Sequence, residues 1–242
     1  MGKCTCANLY ENKDLREALG ETLRPGGFSI TERAMGFTEI KKGSRVLDIG
    51  SGMGDTVHFL REKYGLDAIG LEPSELLISE AEKKYPGIGI LRGVGEKIPA
   101  GDLSLDGVFA ECTLSLMDDR AAVIGECSRT LKKGGYFIIS DVYARRPEHL
   151  HELEDFRFKS CLRGMLNLER LSAEIKESGF EMILSEDQTD CLRQLTVKLI
   201  FEFGSMAVFW NKISGCGGDM DEFRNLMSKC KTGYFLMVCR KV

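Results

Sequence analysis

No apolar run in this 242-residue chain reaches the roughly 18 to 20 positions that a membrane-crossing helix needs. Neither sign of charge dominates either: 33 Lys and Arg stand against 37 Asp and Glu, a net charge of −4. With no basic tract, nucleic-acid binding through bulk charge is excluded. The opening MGKCTCANLYENKD holds no apolar core of the secretory kind, which sets the expectation of a cytoplasmic protein. Internal repeats and low-complexity stretches are absent. The nine cysteines are an odd number without an export signal, so free thiols are expected and not a disulfide framework. What is present, 43% hydrophobic and 29% charged residues, is ordinary for a globular chain and excludes disorder as the main state. At 27.0 kDa the chain suits one domain of generous size, 1–242.

The chain divides into three parts. Residues 1–43 are polar with weak helical periodicity, broken at Arg24-Pro25-Gly26-Gly27. Residues 44–142 alternate short apolar runs with helical stretches. Strands are expected at 45–50, 67–71, 88–91, 105–110 and 136–142. Helices are expected at 55–64, from Pro73-Ser74 to about 85, and from Asp118 or Asp119 to 131, ended by Gly134-Gly135. Residues 143–242 add strands at 180–185 and 233–239. Between these two lies one long amphipathic helix, with Leu192, Leu195, Leu199, Phe203, Met206 and Trp210 as its core stripe. Continuous apolar strands alternating with helices predict an α/β protein with a doubly wound, largely parallel sheet.

Two features in the middle part carry chemistry. Val46–Gly54 reads VLDIGSGMG, a buried strand, a glycine turn and a helix start. Glycines let a backbone approach a ligand closely, and the helix N-terminus favours an anionic group. Asp48 puts a carboxylate beside the turn, which disfavours a pyrophosphate and suits the ammonium of an amino-acid-like ligand. Without the third glycine at dinucleotide spacing, a nicotinamide-dependent reductase is disfavoured. Glu72 follows 22 residues after Gly50. There an acidic side chain can accept from both hydroxyls of a ribose. Both have plainer readings, a tight turn with Asp48 holding backbone amides and a helix-capping carboxylate before Pro73.

With these residues, and with GLEPS at 70–74, GVGEKIP at 93–99 and LKKGGYFIISD at 131–141, the chain resembles class I S-adenosylmethionine-dependent methyltransferases of type 11. The resemblance implies a Rossmann-like seven-stranded sheet with its last strand antiparallel. Residues 1–43 become a helical N-terminal cap, 44–142 the cofactor-binding core, and 143–242 the substrate-side helical insertion and closing strands. It implies S-adenosyl-L-methionine as cofactor. Asp48, Gly50, Ser51 and Gly52 would line its methionine half, Glu72 would hold the ribose, and Pro73, Gly95 and Glu96 would border the adenine. Glu111 and Cys112 would stand by the sulfonium and the acceptor. Many relatives carry Asp where this chain has Val94, which weakens one adenine contact.

Glu111–Arg120 (ECTLSLMDDR) and Lys159–Phe180 resemble arsenite methyltransferases in part. That resemblance implies that Cys112 and Cys161 act on a thiophilic acceptor, a metalloid or a thiol, since soft thiolates suit a soft centre. The stretch LRPGGFSI at 23–30 lacks the further cysteine of those enzymes. Two small buried hydrophobes are the other reading of Cys112 and Cys161. Cys4 and Cys6 form a C-x-C pair without a second pair to complete a zinc set, and Cys216 lies in a glycine-rich loop. His149 and His151 do not share a helix face, so no metal site is expected. Arg145-Arg146 and Asp141 fall near the expected substrate mouth. The expected function is methyl transfer to a small-molecule acceptor, with no nucleic acid or membrane partner. The alternative is a methyltransferase-like protein that binds the cofactor without turnover, as a sensor or assembly partner.

Overall fold

The computed structural model describes residues 9–13, 16, 22, 24–153, 160–214 and 220–242. Seven strands form one sheet: β1 Arg45–Ile49, β2 Asp67–Glu72, β3 Ile90–Arg92, β4 Leu105–Glu111, β5 Leu131–Ala144, β6 Phe180–Asp187 and β7 Thr232–Lys241. Their order is β3-β2-β1-β4-β5-β7-β6. The first five strands pair in parallel, and β7 runs antiparallel to both β5 and β6. The helices are α1 Phe28–Met35, α2 Asp55–Tyr64, α3 Glu75–Lys84, α4 Arg120–Thr130, α5 Leu150–Leu153, α6 Leu168–Glu177, α7 Thr189–Phe203, α8 Met206–Ser214 and α9 Met220–Cys230. None of the described helices is long and apolar enough to cross a membrane.

The strands are apolar throughout because both sheet faces are covered. Phe137 and Ile139 join one core layer with Leu47, Ile49 and Val108, while Ile138 joins the other with Val46, Phe109 and Leu236. Side-chain caps fix the starts of α3 and α4. Ser74 accepts from Leu77 N at 3.2 Å to open α3, and Asp119 accepts from Ala122 N at 3.0 Å to open α4. Gly65, left-handed at φ 63°, ends α2.

Several boundaries shift by one or two residues, and three differences bear on the architecture. The third strand begins at Ile90 and not at 88. Strand β5 begins at Leu131, directly after α4, because Leu131 pairs with Leu105; Gly134-Gly135 lies inside the strand and does not end a helix. The single long helix after β6 is three helices, the first ended by Gly204 at φ 80°. The apolar stripe is core as expected. Leu199 and Trp210 pack with Phe209, flanked by Leu195, Phe203 and Met206.

Candidate active site

Strand order reverses between β1 and β4, and in open α/β sheets ligands enter the crevice beyond the strand C-termini at such a point. A cavity of about 670 Å³ opens there. Asp48, Gly50, Ser51 and Gly52 line it from the end of β1, Glu72 and Pro73 from β2, and Glu111 and Cys112 from β4. Continuous pairing of β2, β1 and β4 therefore gathers residues far apart in the chain.

The turn after β1 needs its glycines. Gly50 has φ +68°, and a Cβ there would meet Thr113 Cγ2 at 2.3 Å. Gly52 has φ +53°, and a Cβ there meets nothing within 4 Å, so a side chain would project into the cavity it lines.

Glu72 is buried and ties two turns together. One carboxylate oxygen accepts from Gly52 N at 3.0 Å, the other from Ser74 N at 3.0 Å. Burial raises its pKa, while these two donors pull it down. Each oxygen keeps a lone pair for a hydroxyl donor.

Among the described residues seven carboxylates line the cavity (Asp48, Asp55, Glu72, Glu96, Glu111, Asp118 and Asp119), against the single arginine Arg24. Asp55 is taken up by Lys84 and Tyr85. Glu111 is held by Arg24 at 2.9 Å, and Arg24 also donates to Thr31 and Thr56 at 2.7 Å each. Burial, and then the charge of Glu111, push Asp48 well above the usual carboxylate range. Such a wall repels a pyrophosphate and attracts a cation. Arg24 Nε, Ser51 Oγ and Thr113 Oγ1 are buried with no partner among the described residues. These orphaned polar groups, the glycine-rich turn and the acidic wall together fit a polar, cationic ligand of S-adenosylmethionine type.

Of the two candidate cysteines, Cys112 stands in the cavity wall. Cys112 has φ +58°, strained for a residue with a Cβ, and its Sγ lies 3.2 Å from the Tyr234 hydroxyl. Tyr234 in turn bonds Ser140 Oγ at 3.1 Å. Cys161 is half-buried and does not line the cavity; it hydrogen-bonds Tyr10, which does. The two thiols lie within electrostatic reach of each other. Burial pushes Cys112 well above the ordinary thiol range and Cys161 up to about 12, so both are thiols at neutral pH.

Other sequence-predicted residues settle differently. Gly95 does not line the cavity: a Cβ there would meet Ile49 at 3.1 Å and Val123 at 3.3 Å, so it packs in the core, and Val94 and Glu96 form that wall instead. Asp141 holds the segment after β4, accepting from Ser115 N at 2.9 Å and Ser115 Oγ at 2.7 Å. Arg145 donates to Asp187 at 2.7 Å and to Thr189 at 3.0 Å, away from the cavity lining. His149 pairs with Glu152, and among the described residues no group of three or more His, Cys, Asp or Glu is arranged to hold a metal ion. Cys4, Cys6 and Cys216 lie outside the described residues. Sequence reasoning missed Arg24, Tyr10, Thr31, Thr56 and Tyr234, whose only signal was the break at Arg24–Gly27.

Residues 47–139 match the family described as methyltransferase domain, type 11. Phosphoethanolamine N-methyltransferase 3 of Arabidopsis thaliana is 27% identical over 171 residues, covering 68% of this chain and 34% of the relative. The arsenite methyltransferase of Halobacterium salinarum is 28% identical over 156 residues, covering 61% and 40%. In fold, the structure of Haemonchus contortus phosphoethanolamine N-methyltransferase 2 in complex with S-adenosyl-L-methionine superposes with a TM-score of 0.69 at 17% identity, covering 96% of this chain and 56% of that one. The chain spans about a third of the length of the curated plant phosphoethanolamine relatives it matches. The domain match at 47–139, the sheet order and the strand-end cavity are together similar to those of class I S-adenosylmethionine-dependent methyltransferases.

Proposed function

We propose that the chain transfers a methyl group from S-adenosylmethionine to a small-molecule acceptor. One observation carries this reading: Glu72, fixed by two backbone N–H groups, faces a cavity of strongly acidic character beside a glycine-rich turn. Glu72 would hold the ribose, Asp48 the ammonium, the turn Gly50–Gly52 the methionine half, and Val94 and Glu96 the adenine edge. Bound S-adenosylmethionine supplies an electrophilic sulfonium methyl. The chain's own work is to hold donor and acceptor in line and to keep water out. A wall of this charge favours a cationic ligand over a neutral one, and so favours the methyl donor over its demethylated product. The named relatives act on different acceptors, and the choice among them rests on the site.

The place of Cys112 in the cavity wall favours a second, narrower reading, a thiophilic acceptor held by Cys112 and Cys161. Both thiols must then lose their protons as the acceptor binds.

Calorimetric titration of the reduced protein tests both. Adenosyl ligands should bind and NADH should not; absence of adenosyl binding would overturn the main reading. Adenosyl binding with no methylated product from any acceptor would favour the cofactor-binding protein without turnover. Arsenite added with S-adenosylhomocysteine should bind under the thiophilic reading, and Cys112→Ser with Cys161→Ser should abolish that binding.

A further inference from the structure

A second cavity of about 520 Å³ adjoins the first, and Leu116, Met117 and Asp118 line both. Its character is opposite. Arg120, Arg163 and Arg170 line it, and Asp118 is its one carboxylate among the described residues. In a chain of net charge −4, three arginines lining one small space are conspicuous. Like charges brought near one another favour an anion among them.

The three arginines are not all used up by the fold. Arg120, the first residue of α4, has no hydrogen-bond or ion-pair partner among the described residues. Among the described residues the Arg170 side chain bonds Glu174, one turn further along α6, on an exposed face. Ser160 is 3% exposed; its Oγ accepts from Arg163 N at 3.3 Å, which leaves the hydroxyl proton for a ligand. The wall shared by the two cavities is fixed, because Ser115 is anchored to Asp141 through both its N–H and its hydroxyl.

We infer that this second cavity binds an oxyanion, a carboxylate or a phosphomonoester, carried by the methyl acceptor. Arginine matches both groups, since its planar fork donates two parallel bonds to paired oxygens. The two cavities then read as the two ends of one polar ligand site. The acidic cavity takes the cationic donor, and the arginine cavity takes the charged end of the acceptor, whose nucleophile reaches past Leu116 and Met117. The acceptor assignment rests on the methyl-transfer reading; the anion site rests on the arginines alone.

The test uses the full chain loaded with S-adenosylhomocysteine and titrated with inorganic phosphate and with acetate. Support requires phosphate or acetate binding that weakens tenfold or more in Arg120→Gln and in Arg163→Gln. Arg193→Gln, an exposed arginine paired with Asp190 outside both cavities, should leave it unchanged. Adenosyl affinity should stay within twofold in all three variants. The better-bound anion decides between phosphomonoester and carboxylate. Anion binding equally weak in native and Arg120→Gln protein would overturn the proposal, while intact adenosyl binding would leave the methyl-transfer reading standing. Loss of adenosyl binding in the native chain, with arginine-dependent phosphate binding kept, would overturn the methyl-transfer reading and the acceptor assignment with it. Turnover supplies the second readout. Phosphoethanolamine is compared with ethanolamine, and mercaptoacetate with mercaptoethanol. The charged member of a pair should show at least a tenfold lower KM, an advantage lost in Arg120→Gln with kcat kept. Equal use of both members, or of neither, would overturn the role in acceptor binding.

Discussion

At Glu72 both carboxylate oxygens already serve backbone donors, so the side chain is oriented before any ligand arrives. Glu72→Gln presents an NH2 group to one of those N–H donors. Adenosyl affinity should fall tenfold or more, and stability by about 1–3 kcal/mol, measured by calorimetry and denaturant unfolding. Asp48 takes up its proton at higher pH than an ordinary exposed acid, because burial raises its pKa; acidification therefore protonates it early and removes its attraction for a cation. Adenosyl binding should therefore weaken as pH falls, and Asp48→Asn should flatten that dependence. Asp141, raised from 3.8 to about 6 by burial, acts on stability. Its neutral form is favoured in the folded state. Its contribution is present below pH 3.8 and is lost as pH rises through about 6, at most about 3 kcal/mol for a shift of this size. Unfolding of Asp141→Asn, followed between pH 4 and 7, should lack this decline.

At the scale of elements, the helical layer after β6 depends on one aromatic cluster. Trp210 is 5% exposed and meets Phe209 and Phe223 edge-on at 5.0 and 6.0 Å. Trp210→Ala should cost about 3–5 kcal/mol, read from the midpoint of a denaturant titration followed by circular dichroism. The three-helix division of this layer was not legible in the sequence, because the apolar stripe continues in phase across Gly204 while the backbone does not. The strand–turn–helix at Val46–Thr56 was legible, because a buried run, a glycine turn and a helix start are written within a dozen consecutive residues. Glu72 and Glu111 were legible for a related reason: each ends a strand whose apolar run marks its own limit. Arg24 was not. Its place beside Glu111 is set by how the segment before α1 crosses the strand ends, and no local pattern encodes that. Cys161 shows the same limit. Its cysteine could be singled out, but not that it bonds Tyr10, which lines the cavity, without lining the cavity itself.

At the scale of the whole molecule, the acidic cavity leaves the ligand-free chain with like charges gathered at the sheet's centre. A cationic adenosyl ligand should therefore stabilise the entire fold. At a hundredfold excess over Kd, linkage gives about 2.7 kcal/mol, a rise in Tm of about 5 to 10 °C for a domain of this size. S-adenosylmethionine should produce this shift in a melting experiment and NADH should produce none. The opposed polarity of the two adjoining cavities also belongs to this scale. Neither is visible in a net charge of −4, which averages over both.

The position of β7 has a consequence for the order of events in biogenesis. Strand β7 fills the slot between β5 and β6, pairing from Tyr136 with Arg240 to Ala144 with Thr232 on one side and with β6 on the other. Until residues 232–241 have left the ribosome, both neighbours present open edges, and β6 has no partner strand among the described residues. The parallel half of the sheet can assemble during synthesis, whereas closure of the antiparallel half waits for contacts between segments almost a hundred positions apart. Such long-range closure is slow, and open edges invite association between chains. In this fold the period of greatest aggregation risk is the interval between the emergence of β6 and the docking of β7.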